Sequence, residues 1–162
     1  MLHETVETFD HYLAMRKVIV VCLCVLLSGA SLSWLLVRSS SVSRSLATQI
    51  QRGPGAVIDF AEVAPFPWDR LYIFGPYTSP EHVQKSLGFS WPEYWRTSIQ
   101  DSKRVNLVVF VRERQVVHWF EHPRKDGELG YLDDPKGYAR GEAHFRVQRE
   151  GTDRLVLKRE DE

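Results

Sequence analysis

One stretch constrains this chain more than any other: VIVVCLCVLLSGASLSWLLV, Val18 to Val37, twenty residues without a charge. At 1.5 Å per residue a helix of that length spans a hydrocarbon layer of about 30 Å. It has no polar face of the kind a helix in a soluble fold carries. The pattern predicts one transmembrane helix over 18–37, preceded by a short tail at 1–17. A secretory signal peptide is the competing reading, with VIVVCLCVLL as its apolar region, cleavage after Ala30 and Met15 as an alternative start. The WLLV that follows Ala30 extends the run to spanning length and favours the anchor. Lys and Arg near the run number two before it (Arg16, Lys17) and three after it (Arg38, Arg44, Arg52), so charge barely orients it. Both readings act as export signals. The expected placement is therefore the cell membrane, single-pass, with the C-terminal part extracytoplasmic.

The rest of the chain must fold without covalent help. The only cysteines are Cys22 and Cys24, inside the apolar run. Val21 and Leu23 precede them, where a lipid-attachment site needs a small residue. From residue 39 onward 18 basic residues face 18 acidic ones. A nucleic-acid partner is excluded on that balance, because phosphate neutralisation needs a basic excess.

RSSSVSRSLATQIQRGPG, Arg38 to Gly55, is rich in Ser and ends in Gly-Pro-Gly. It reads as a linker, with continuation of the preceding helix through Ser45–Gln51 as the alternative. The domain is expected over 56–162. AVIDF is a short strand. RLYIF, Arg70 to Phe74, reads as a strand buried on both faces. Gly75-Pro76 breaks it. A helix then opens at Thr78 with Glu81, or at Ser79 with Pro80, and stops at Gly88. Ser90-Trp91-Pro92-Glu93 opens a second short helix with Trp91, Trp95 and Ile99 on one side. RVNLVVFV (104–111) and VVHWF (116–120) form a hairpin around the four-residue loop RERQ. Residues 121–141 are a long polar loop. EAHFRVQR alternates as a strand, EGTD turns, and RLVLK returns. The expected fold is α+β: an antiparallel sheet of four to five strands with two short helices on one face.

Chemistry is harder to find. His118, Glu121 and His122 suggest a metal, but His118 and His122 sit four apart on a strand, roughly 13 Å at full extension, too far for one ion. His144 could join one of them only if its strand lay alongside. GFSWP lacks the second glycine of a nucleophile elbow. GPYTSP lacks the glycines and lysine of a phosphate loop. DGELGYLDDPKG lacks calcium-loop spacing. No catalytic residue, metal ligand or cofactor is assigned. Tyr72 and Phe74 serve the strand, which leaves Trp68, Asp69 and Tyr77 at its two ends without a forced structural role. They are the candidate binding residues, together with the 121–141 loop, for another envelope protein. The alternative is a small ligand-binding or hydrolase-like enzyme with a pocket near Trp68, Asp69, Tyr77 and one histidine.

FPWDRLYIFGPYTSPEHVQKSLGF, Phe66 to Phe89, carries the pattern Trp-Asp-basic-x-Tyr-x-Phe-x-Pro-Tyr-Thr in Trp68, Asp69, Arg70, Tyr72, Phe74, Pro76, Tyr77 and Thr78. On those residues, and on the VNLVVFVRERQVV that follows, the chain resembles a family of small bacterial envelope proteins, membrane-anchored or lipoproteins. The resemblance extends over roughly 70 residues, the two quoted stretches lying within Phe66–Val117. It implies an envelope location and brings no known activity. The chain departs from the lipoprotein members in having no lipid-attachment cysteine. A fainter similarity is to the two-helix, antiparallel-sheet fold of small outer-membrane-assembly lipoproteins, which implies a protein-binding accessory by fold analogy alone.

Overall fold

Residues 41–159 are described by the computed structural model. The tail at 1–17, the anchor over 18–37 and its orientation lie outside them. Among the described residues no helix is long and apolar enough to cross a membrane.

Residues 41–50 are helical (α1). Val42, Leu46 and Ile50 recur every fourth residue, which stacks them on one helix face, and all three are buried in the main core. Within the segment expected as a linker, with a helix through Ser45–Gln51 as the alternative, residues 41–50 are thus helical and packed. A Ser-rich composition concealed an apolar stripe, and the packed unit extends N-terminally beyond Ala56.

The strands that follow are β1 (Val57–Asp59), β2 (Arg70–Phe74), β3 (Val105–Arg112), β4 (Gln115–Pro123), β5 (Tyr138–Ala139), β6 (His144–Glu150) and β7 (Arg154–Lys158). They form two antiparallel sheets, ordered β1-β6-β7 and β4-β3-β2-β5. The α+β class holds, but the single sheet of four to five strands becomes two sheets. The short helix α2 (Phe60–Val63) follows β1 directly, with the Asp59 side chain accepting from the Ala61 N–H at its start.

The four-stranded sheet is covered on both faces, which explains its continuous apolar strands. Leu71 and Ile73 of β2 join Val108 and Phe110 of β3 in the main core, with α1 and the inner side of the three-stranded sheet. Tyr72, Phe74, Leu107 and Val109 point the other way, into a second core. That core is closed by the helix α3 (Pro80–Leu87) and by a 3₁₀ turn, Pro92–Arg96. Val83 and Leu87 bury the apolar side of α3.

Ser79 caps α3, its hydroxyl accepting from the His82 N–H at 3.3 Å with Pro80 in the first turn. Thr78 instead donates to the Gly75 carbonyl. Gly88 ends the helix at φ +73°, a left-handed conformation that glycine adopts without steric penalty. The hairpin is tighter than the sequence suggests. Only Glu113 and Arg114 separate β3 from β4, and both have positive φ, 50° and 62°. Neither is the Asn or Gly that such a turn prefers. Phe110 opposes His118 while Val111 opposes Val116, so Val117 is the extra residue of a bulge on β4.

Candidate functional site

The three residues singled out at the ends of β2 do not converge. Trp68 is 3% exposed. Its indole N–H donates to the Ala64 carbonyl at 3.2 Å, Phe110 meets its ring edge-on, and the Arg140 guanidinium lies 5.0 Å from the ring centre. It is a core residue, which removes it from the binding candidates. Asp69 knots the hairpin. Its carboxylate accepts from the Glu113 N–H at 2.9 Å, its own N–H donates to Val111, and its carbonyl accepts from Arg140. The side chain holds in place a turn whose two residues both have positive φ. A histidine–carboxylate pair does form elsewhere, between His82 and Asp133 at 3.5 Å.

Tyr77 behaves differently. It has φ +62° and the residue is 61% exposed. A tyrosine in this conformation is uncommon and needs support. The support comes from the segment around the 3₁₀ turn: the Tyr77 N–H donates to the Ile99 carbonyl at 2.9 Å, and the Tyr94 hydroxyl donates to the Thr78 carbonyl at 2.6 Å. Burial pushes the Tyr94 phenol above its ordinary value, with the Glu81 and Asp101 carboxylates adding to the effect, so it stays a donor. The same turn carries Trp95, 80% exposed.

Trp95 is expected on one helix side with Trp91 and Ile99. Those two are buried, and Trp95 is not. The reason is that the helix is only a five-residue 3₁₀ turn, Pro92–Arg96, with extended backbone at Trp91 before it and at Thr97 after it, so the three residues do not share a helix and no common helical side exists. Ser90 gives no cap there, since Trp91 occupies the cap position without a side-chain bond. A groove of about 500 Å³ is lined by Tyr77 with Ser98, Asp101, Ser102, Lys103 and Arg104, the residues that follow the 3₁₀ turn. Glu121 of β4 fixes its wall by accepting from the N–H and hydroxyl of Ser98.

The 121–141 segment is held by its own domain. Leu129 and Leu132 are fully buried, and Glu128 bridges to β7 through its N–H and carbonyl, each 2.9 Å from a strand partner. The Glu128 side chain is buried too. One carboxylate oxygen accepts from the Gly130 N–H at 2.7 Å, and the other accepts from both Arg124 and Arg154. Burial alone would push this carboxyl up, but the bonds from Arg124, Gly130 and Arg154 together outweigh it and hold the group below its ordinary value. With both oxygens engaged it serves as a clip rather than an acid or base. The open groove of about 620 Å³ above it mixes Arg124, Lys125 and Arg154 with Glu150 and Asp153.

The histidines separate in the same way. His118 packs against Phe66, Phe110 and Phe120. His144 lies in the other sheet, opposite Asp59, and not beside His118 or His122. Among the described residues no three His, Cys, Asp or Glu side chains gather as a metal site. No family model matches the chain, and no curated protein or solved structure matches it either.

Proposed function

We propose that this protein is a membrane-tethered, extracytoplasmic binding module that docks another envelope protein on the Tyr77–Trp95 face, and that it is not an enzyme. The observation that carries this reading is the exposure of two large aromatics on segments hydrogen-bonded to each other. Tryptophan and tyrosine bury large area with few rotatable bonds, which makes them anchors of protein interfaces. Here the cost of ordering Tyr77 is met before binding, because its backbone is already fixed. Asp101, Lys103 and Arg104, which line a groove with Tyr77, supply the mixed polar rim that surrounds such anchors. The uncharged run Val18–Val37 and the likeness to envelope proteins support the tether. The tether is tested by alkaline carbonate extraction. Retention in the membrane pellet is expected, whereas release with a new N-terminus after Ala30 overturns it. The face is tested with a photo-crosslinking residue at Ser102 in the full chain. One discrete adduct with an envelope protein is expected, and it should vanish in Trp95→Ala. An adduct insensitive to Trp95→Ala, or one between two copies of this chain, overturns the docking reading.

A further inference from the structure

Asn106 and His122 face each other across β3 and β4, and both are completely buried. Neither the amide of Asn106 nor either ring nitrogen of His122 has a hydrogen-bond partner. Buried polar groups are nearly always paired, so four unpaired atoms side by side mark a weak point in the packing. The lid over them is the strap 124–132. At Gly127, φ +148°, a Cβ would stand 2.6 Å from one Ile50 methyl, 3.0 Å from the other and 3.5 Å from His122 Nε2. The strap, the imidazole and α1 thus meet with no spare volume. At Gly130 a Cβ would fall 2.9 Å from the Glu128 carboxylate and 3.5 Å from the Asn106 carbonyl oxygen, so the strap closes over Asn106 as tightly.

We propose that His122, with Asn106 beside it, is an acid-operated latch: protonation of the ring unseats the 124–132 strap and frees the end of α1 at Ile50.

The charged groups facing the ring are few. Asp126 and Glu128 of the strap both favour the imidazolium. The Glu128 carboxylate is already committed to Arg124 and Arg154. The Asp126 backbone also favours the imidazolium, yet no hydrogen bond of ordinary geometry reaches either nitrogen. From β3 the ring is paired with the neutral Asn106, and the neutral Ile50 of α1 meets the strap at the same glycine as the ring does. A cation there is buried without adequate pairing, and the cheapest relief is to lift the strap into water. Burial accordingly holds the ring's pKa down at about 4, against 6.5 when free. The open form takes up its proton first, so opening is favoured as pH falls from 6.5 toward 4. Between about pH 7 and pH 5 one such proton multiplies the opening constant roughly twentyfold.

Hydrogen exchange of the full chain in mild detergent, normalised for the intrinsic pH dependence of exchange, tests this. Protection over 41–50 and 124–132 should fall about twentyfold from pH 7 to pH 5, while β2 and β3 stay protected. His122→Gln should abolish that difference. NMR titration of the wild-type ring gives a readout that does not depend on the variant folding: the ring and the strap should change together. A ring that stays neutral while the strap opens, a strap that stays protected over a protonated ring, or a loss spread evenly over β2 and β3 overturns the latch.

Discussion

Replacing Trp68 by Ala separates the core aromatics from the docking aromatics most sharply. The side chain is all but fully buried, stacks edge-on against Phe110, donates to Ala64 and lies under Arg140. Truncating a buried tryptophan costs about 3–5 kcal/mol through lost transfer energy and the cavity left behind. The hydrogen bond to Ala64 adds about 1 kcal/mol. The expected loss is thus about 4–6 kcal/mol, a large share of the roughly 5–15 kcal/mol that holds a small domain together. Trp95→Ala removes a side chain that already stands in water and should cost less than about 0.5 kcal/mol. Urea unfolding of the unit Ser39–Glu162, followed by far-UV circular dichroism, reads both without relying on tryptophan emission. A Trp68→Ala loss under about 1 kcal/mol, or a Trp95→Ala loss above about 2 kcal/mol, would refute the division made here.

Two further outcomes are expected. A chain beginning at Ala56 lacks Val42, Leu46 and Ile50; at about 1.5–3 kcal/mol per buried side chain it loses roughly half of a small domain's stability or more, and poor chemical-shift dispersion against the chain from Ser39 would show it. Glu128→Gln leaves Arg124 and Arg154 without their shared carboxylate; because both guanidinium groups are partly exposed the loss should fall below the roughly 3–5 kcal/mol of a fully buried pair, at about 2 kcal/mol. Since the folded carboxyl is held below its ordinary 4.5, that advantage is complete above pH 4.5 and shrinks as pH falls through the lowered value, so unfolding midpoints of the two proteins should converge in acid. A gap that stays constant down to strongly acidic pH would place the stabilisation elsewhere.

What the sequence made legible was local. The end of β2 at Gly75-Pro76, the Ser79-Pro80 start and Gly88 stop of α3, and the β6–β7 hairpin all follow from residues within a few positions of one another. What it hid needed distant partners. Val42, Leu46 and Ile50 are scattered among serines and gain meaning only when the sheets supply a surface. Trp68 ends in the core because Phe110 and Arg140 come to meet it. Glu113 and Arg114 carry no glycine or asparagine signal, yet Asp69, far back in the chain, holds them in a two-residue turn. Trp95 was misplaced by assuming one α-helix over a segment that holds only a short 3₁₀ turn. Glu128 is one acid in a polar stretch, and only the spacing to Arg124, four residues earlier, hinted at its clip.

The pairing of β1 with β6 imposes an order on synthesis. The Arg146 guanidinium reaches back 91 residues to the Gly55 carbonyl, and β1 finds its hydrogen-bonding partner only in β6. As the chain emerges, β1 comes out early and waits, unpaired, while nearly all the rest is made. The β3–β4 hairpin and α3 can assemble on their own timescale, since their contacts are near in sequence. The three-stranded sheet can close only when the final strands arrive. A ribosome that stops before residue 144 therefore releases a chain with an exposed strand edge and an uncovered apolar helix face, a substrate for chaperones and proteases rather than a shortened version of the protein.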